Sequence, residues 1–381
     1  MKPAVLILSC WQYPGLESSG PNRSLDGILQ FLSNDFDFFV VGLDRGHDDL
    51  GPRDVEHCWQ AVGSAKRLRL ARDETLGRRL RAVLNDTNHD LLMLNSFFDP
   101  VLTNRALILR KLQRIPIKPT TLSVHGEFSP GALQLGMLKK SLYVRFVKWQ
   151  SLLKSIWLHA TGIDERDQIA QASLGARGVI LAPNISPMSS LPHAVESDVL
   201  RIVYISRIAR MKNLDFAIRV LNGVSNPVIF RIYGPVSDAK YNEECRAMIR
   251  TLPPHVQVEF MGEIAHKDVP ETFAANDLFF LPTLGENFGY AIHESLLSGT
   301  PVLISDRTPW RGLQACGAGW DIPLSDPRRF SETIDALAAT PSNERRRLRD
   351  GARALAEKCW RESDAVDATR GMFRQVLAAG P

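Results

Sequence analysis

"DLFFLPTLGENFGYAIHESLLSGTPVLIS", residues 277–305, reads as a strand, a turn, a helix and a second strand in succession. The runs DLFFLP (277–282) and PVLIS (301–305) are apolar and of strand length. Between them Gly285, Asn287 and Gly289 punctuate a flexible turn, and Ala291, Ile292, Ser295, Leu296 and Leu297 supply a small or apolar helical face. Strands joined through a helix in this way belong to a parallel sheet.

The same alternation extends in both directions. RIVYIS (201–206), PVIFRIYG (227–234) and VQVEFMG (256–262) precede the stretch, and a short AGWDI (318–322) follows as an edge strand. In the first half AVLILS (4–9), DFFVVG (37–42), DLLMLN (90–95), TTLSVH (120–125), IWLHAT (156–161) and GVILAP (178–183) read as strands, with helical patterns at 23–33, 99–111, 131–152 and 164–172. The Pro- and Ser-rich segment PNISPMSSLPHAVES, from 183, has no periodicity and reads as a linker. The fold class predicted is α/β: two Rossmann-like domains with parallel sheets, 1–183 and 199–360, joined by a linker over 184–198. At 381 residues the chain is too long for one typical core, which agrees with two domains. A ligand is expected at the carboxyl ends of the strands, in a cleft between the two sheets.

Composition narrows the function classes. With 44% hydrophobic and 23% charged residues the chain reads as soluble, and the apolar run near its start is too short for a membrane span. Cysteines 10, 58, 245, 316 and 359 are scattered without C-x-x-C spacing, so neither a disulfide framework nor a zinc site is implied, and a reducing cytoplasm is the expected home. Residues 1–195 hold 23 Lys plus Arg against 18 Asp plus Glu, so the basic excess behind the net +4 lies in that half. Within 101–155 ten basic side chains face one acid, Glu127, in a stretch that includes LKKSLYVRFVKWQSLLKSIW. This segment is either a helix lying on an anionic bilayer or a core-facing helix with a solvated basic face. A second basic run at 66–81 reads as a solvated helix face, and nucleic acid is not an expected partner.

Polar residues gather where strands end. After the strand at 201–206 come Arg207, Arg210 and Lys212, with Asn213 as a candidate helix N-cap. Cations beside a helix N-terminus suit a diphosphate, although a charged loop in solvent fits the same residues. No G-x-G-x-x-G or P-loop fingerprint is present. If a helix ran from Glu286 onward, its carboxylate and that of Glu294 would stand about 12 Å apart and about 80° apart around the axis. Carboxylates so placed cannot share a proton. They either hold two parts of one elongated ligand or face solvent.

The ordered set SRIARMKNLD, FMGEI, LFFLPTLGENFGYAIHESLLSGTPVLIS and GAGW, with looser matches at SVHGEFSPGAL, HATGIDERDQI and ILAPNI, resembles the retaining glycosyltransferase family 4, or group 1, of GT-B fold. The resemblance covers nearly all of 200–322 and implies transfer of a sugar from a nucleoside diphosphate, UDP ahead of GDP, to an acceptor hydroxyl with retained configuration. It implies that Arg207 and Lys212 hold the diphosphate, that Glu286 contacts the donor sugar and that Glu294 takes the ribose hydroxyls. Amides around Asn287, Phe288 and Gly289 would meet the sugar or phosphate, and main chain from Gly262 to Ile264 would frame the base. His125 would face the donor sugar from the other domain. Neither metal nor cofactor is implied, and no D-x-D pair is suitably placed to hold a metal. A glycan or lipid-linked acceptor is implied, in polysaccharide or glycolipid synthesis, with the enzyme cytoplasmic or peripheral at the inner face of the membrane. A helix over about 361–381 would cross back to the first domain.

Two departures from the family pattern stand out. The N-terminal Gly-Gly loop reads ESSGPNRS, leaving Gly20 and Arg23 as the acceptor or phosphate loop, and the linker has Pro183-Asn184-Ile185 in place of Pro-Asn-Gly. A GT-B epimerase, a phosphorylase or a non-catalytic nucleotide-sugar-binding protein would share the fold.

Overall fold

A computed structural model describes residues 2–9, 20–44, 55–73, 75–129, 132–133, 137–186 and 197–381. Two units emerge, Met1–Pro187 with Ser363–Pro381, and Met188–Glu362. Most of the linker segment lies outside the described residues, as does the stretch 10–19 before Gly20.

The first unit is built on an eight-stranded sheet. Its strands are β1 (Ala4–Ser9), β2 (Asp37–Leu43), β3 (Gln60–Val62), β4 (Ala65–Leu70), β5 (Leu91–Asn95), β6 (Thr120–Ser123), β7 (Trp157–Ala160) and β8 (Gly178–Leu181). Their order across the sheet is β3-β4-β2-β1-β5-β6-β7-β8, parallel throughout except where β3 runs against β4. Helices α1 (Gly20–Leu32), α2 (Leu76–Asp86), α3 (Thr103–Lys111), α4 (Met137–Trp149) and α5 (Ile163–Ala172) connect them. Leu, Ile, Val and Phe side chains bury both faces of this sheet, as parallel sheets require.

Sequence and structure part at β4. The basic run expected to be a solvated helix face is instead a strand as far as Leu70, and only from Leu76 a helix. Tertiary pairing overrides the local pattern: β4 lies beside β2, Arg67 forms an ion pair with Glu56, and Arg69 is buried. α1 also begins earlier than the pattern suggests, taking Gly20 and Pro21 into its first turn, where a proline costs no hydrogen bond.

The last helix of the chain, α12 (Ala365–Ala379), packs within the first unit. Ala365, Met372, Phe373 and Val376 are buried against β1, β2 and α1, and the Phe373 ring meets Phe36 edge-on at 5.3 Å. Arg370 reaches Asp35 at 2.9 Å, while Arg177 donates to the carbonyls of Ala379 and Gly380 at the helix end.

The second unit is a six-stranded parallel sheet ordered β11-β10-β9-β12-β13-β14. The strands are β9 (Leu200–Ile205), β10 (Val228–Tyr233), β11 (Val256–Gly262), β12 (Leu278–Leu281), β13 (Val302–Ser305) and β14 (Gly319–Ile322). They are covered by α6 (Leu214–Leu221), α7 (Ala239–Ile249), α8 (Val269–Ala274), α9 (Tyr290–Leu297), α10 (Pro327–Ala339) and α11 (Ser342–Glu362). The chain enters at β9, winds outward through β10 and β11, then returns to the other side of β9 with β12. The carboxyl ends of β9 and β12 therefore flank the point where strand order reverses, the usual place for a ligand in an open α/β sheet.

Candidate functional site

Two loops meet at that reversal, one after β9 and one after β12. Leu284 N–H and the Thr283 hydroxyl both donate to the carbonyl of Met211, at 2.9 and 3.1 Å. Asn213 Nδ2 donates to the carbonyl of Pro282 at 2.9 Å. Asn213 thus does not cap α6 with its side chain. It stands at the N-cap position with φ +58, and its amide is spent holding the neighbouring loop. Gly234, at the end of β10, allows the same corner to close: a Cβ there would sit 2.0 Å from the carbonyl oxygen of Ser206.

This stitching brings Lys212 and Glu286 together. Their side chains form an ion pair and are only 18% and 13% exposed. Glu286 N–H donates to the carbonyl of Arg307, in the loop before α9 begins. The helical spacing between Glu286 and Glu294 therefore does not apply. The chain breaks at Gly289, whose φ of +78 suits glycine, and only then turns into α9.

Trp310 Nε1 donates to the carbonyl of Phe288 at 2.7 Å, and Phe288, Tyr290, His293 and Trp310 form an aromatic cluster beneath the turn. His293 is buried there, and loss of hydration pushes its pKa down to about 4, so the ring is neutral at physiological pH. The N–H groups of Ile292 and His293 turn back to the carbonyl of Gly289. Asn287 is exposed at the tip of the loop, and Phe288 is half-buried.

Glu294, on α9, faces His266 at 3.4 Å. His266 lies in a short helical turn after the Gly262–Ile264 segment, so the residues expected to frame a base and the carboxylate expected to take a ribose meet through it. Gly262 accepts from Gly234 N–H at 2.8 Å and has φ +79, while Ile264 packs against the core. Of the three cations after β9, Arg207 is exposed and makes no ion pair among the described residues, whereas Arg210 is drawn away to Glu244 at 2.8 Å. The Arg210 guanidinium also covers the ring of Tyr241, 5.0 Å from its centroid. Sequence reasoning passed over His266, Thr283 and Trp310. For His266 the only signal was its position two residues past Ile264, after a strand end.

In the first unit, polar side chains collect after β5, β6 and β7. His125, in a left-handed conformation with φ +53, donates from Nε2 to Asn95 Oδ1. Burial holds its pKa down to about 4, opposed by Glu165 and assisted by His159. Glu165 accepts from Gly126 N–H, from Thr161 N–H at 2.6 Å and from the Thr161 hydroxyl at 2.8 Å. Beside His125, Glu127 accepts from Ser96, Phe97 N–H and Phe98 N–H, and burial raises its pKa to about 7 despite these donors. Gly20 lies in the first turn of α1, and Arg23 is buried and paired with Asp26 at 3.1 Å.

Residues 192–355 match the family model described as glycosyl transferases group 1. The second unit carries the sequence pattern of the group 1 glycosyl transferases. A D-inositol 3-phosphate glycosyltransferase of Catenulispora acidiphila is 25% identical over 201 residues, 50% of this chain and 46% of its own. A phosphatidyl-myo-inositol mannosyltransferase of Mycobacterium leprae is 26% identical over 120 residues, 31% of this chain and 32% of its own. The chain thus spans less than half the length of the curated relatives it matches. Among solved structures, sucrose-phosphate synthase from Thermosynechococcus elongatus superposes with a TM-score of 0.74 over 99% of this chain and 100% of its own, at 16% identity. Anabaena HepE, in complex with UDP and glucose, gives 0.69 over the same shares, also at 16% identity. This likeness is one of fold: both units are parallel α/β domains of the GT-B class.

Proposed function

We propose that the protein is a retaining glycosyltransferase that moves a sugar from a nucleoside-diphosphate sugar to an acceptor hydroxyl without a metal ion. The observation that carries this reading is the sheltered Lys212–Glu286 pair at the β9/β12 reversal, in the unit whose sequence matches group 1. UDP is preferred over GDP, a choice supported by the complex of the HepE neighbour with UDP and glucose. The acceptor is a glycan or lipid-linked glycan of the cell surface, and the reaction runs in the cytoplasm.

Lys212 and Arg207 bind the diphosphate. Glu286 pairs with Lys212, and a diphosphate competes for the same ammonium. Once Lys212 turns to the phosphate, Glu286 is free to accept hydrogen bonds from hydroxyls of the donor sugar. Glu294, steered by His266, takes the ribose hydroxyls, and main chain from Gly262 to Ile264 borders the base. The amides at Asn287, Phe288 and Gly289 add donors for phosphate or sugar. His125 is assigned to the donor sugar as a neutral hydrogen-bonding group, and Gly20 and Arg23 to the acceptor.

In the transfer, the bond from the anomeric carbon to the diphosphate oxygen breaks with charge building on that oxygen, where Lys212 and Arg207 stabilise it. The acceptor oxygen bonds to the same face, and its proton passes to the departing phosphate. A retaining glycosidase would instead need two carboxyl groups about 5 Å apart. Glu286 engages Lys212 and Glu294 engages His266, an arrangement suited to binding two parts of a donor.

The test is incubation with a panel of UDP- and GDP-sugars, with and without acceptor and chelator. Release of nucleoside diphosphate, stimulated by acceptor and unaffected by chelator, is the expected result. A donor epimerised without nucleotide release, or no interaction with any nucleotide sugar, overturns it.

A further inference from the structure

Helix α4 turns its apolar side chains the wrong way for a core helix. Its only fully buried residue is Val147. Leu138 is 79% exposed, Trp149 78%, Leu142 66% and Phe146 37%. At 3.6 residues per turn these four fall within an arc of about 80°, and Val147 lies about 140° from its centre. Arg145 and Lys139 border the arc, each about 20° beyond an edge, and Lys148 follows on the Arg145 side. All three cations are exposed, and the helix contains no acid. Lys140, the fourth cation, turns inward over the ring of Phe98.

We infer that α4 is a docking helix for an anionic phospholipid surface, lying in the interface with Leu138, Leu142, Phe146 and Trp149 among the acyl chains and Lys139, Arg145 and Lys148 at the headgroups. An apolar stripe directly opposite the packed side has no packing partner among the described residues of the unit, and four large exposed hydrophobic residues in a row mark an interaction surface. The cations on both borders choose the partner. Long basic side chains can lie along the stripe and end among anionic headgroups, while a tryptophan at the end of the helix suits the interface. Nucleic acid would match the cations and leave the apolar stripe wet. A second copy of α4 would match the stripe and set cations against cations. With 13 residues the helix is about 20 Å long, too short to cross a bilayer core of about 30 Å, so it lies on the surface.

The inference is independent of the chemistry proposed above, because vesicle binding needs no donor. The full-length protein is sedimented with vesicles of phosphatidylcholine alone or mixed with phosphatidylglycerol. Binding is expected only with phosphatidylglycerol, and it should fall sharply between about 0.1 M and about 1 M salt, as screening shortens from about 10 Å to about 3 Å. Replacing Lys139, Arg145 and Lys148 together by Gln should weaken binding about a hundredfold. Leu138→Ser, Leu142→Ser and Trp149→Ser together should abolish it with an unchanged thermal melt, since these side chains are exposed in the folded unit. No binding to anionic vesicles, or binding that survives the triple apolar variant, overturns the inference. So does a concentration-dependent dimer that this variant abolishes while the wild type ignores vesicles, which would assign the stripe to self-association.

Discussion

The two ends of β12 carry ion pairs of opposite design. At its amino end Asp277, 5% exposed in its side chain, receives Arg201 at 3.3 Å, Arg349 at 3.2 Å and Arg345 at 3.6 Å. The backbone N–H of Arg201 adds a bond at 3.0 Å, and Arg349 also donates to the carbonyl of Asn276 at 2.7 Å. Burial lowers the pKa of Arg349, and Asp277 works against that shift. At the carboxyl end the Lys212–Glu286 pair has one cation for one carboxylate, on loops held by main-chain bonds. A carboxylate shared by three arginines fixes α11 to the sheet. A simple pair between two stitched loops can exchange partners when a ligand arrives.

The amino end should break first. Asp277→Asn strands three buried guanidinium groups and should destabilise the protein by about 3–5 kcal/mol in urea unfolding. An unchanged midpoint would remove the distinction between the two ends. At the carboxyl end the loss should appear in chemistry: Glu286→Gln is expected to lower turnover about 10²–10³-fold, with nucleotide affinity changed far less. Lys212→Ala should lower both turnover and diphosphate affinity, measured by steady-state kinetics and calorimetry. Normal turnover in Glu286→Gln would sink the role given to that carboxylate.

A smaller effect separates the aromatic support of the turn from the ionic clusters. His293 takes up a proton at about 6.5 when unfolded and only at about 4 when folded, so its contribution to stability is complete above 6.5 and is lost as pH falls toward about 4. His293→Phe should flatten the pH dependence of unfolding in that window, removing up to about 1.4 kcal/mol per pH unit. An unchanged slope would mean that the ring is not held neutral by burial. The least effect is expected from Arg210→Ala, since its exposed guanidinium serves Glu244 and Asp238 at the surface. Turnover and melting temperature should stay close to wild type. A large loss of turnover would restore Arg210 to the diphosphate site.

Much of the fold was legible because parallel strands buried on both faces must be continuous apolar runs, and such runs are easily seen between helical patterns. The exception is instructive. In β4, Lys66, Arg67 and Arg69 hide the strand, and what makes it one is β2 on one side, β3 on the other and Glu56 to pair with Arg67. Candidate site residues can be named from sequence where a motif orders them, as at 286–294. Their partners were not: Glu286 meets Lys212 from 74 positions away, and His266 reaches Glu294 across 28.

By itself the sequence determined the βαβ alternation, the strand ends on which polar residues gather, and the glycine that breaks the chain before α9. Those are local properties, set by side-chain periodicity and by backbone conformations that only certain residues adopt. Tertiary structure decided which charge meets which, sending Lys212 to Glu286 and Arg210 to Glu244 from one short loop. It also decided the fate of α4, whose pattern fits a core helix or a surface helix equally well. Periodicity gives a helix an apolar face, and only the packing of Val147 shows that the larger one points outward.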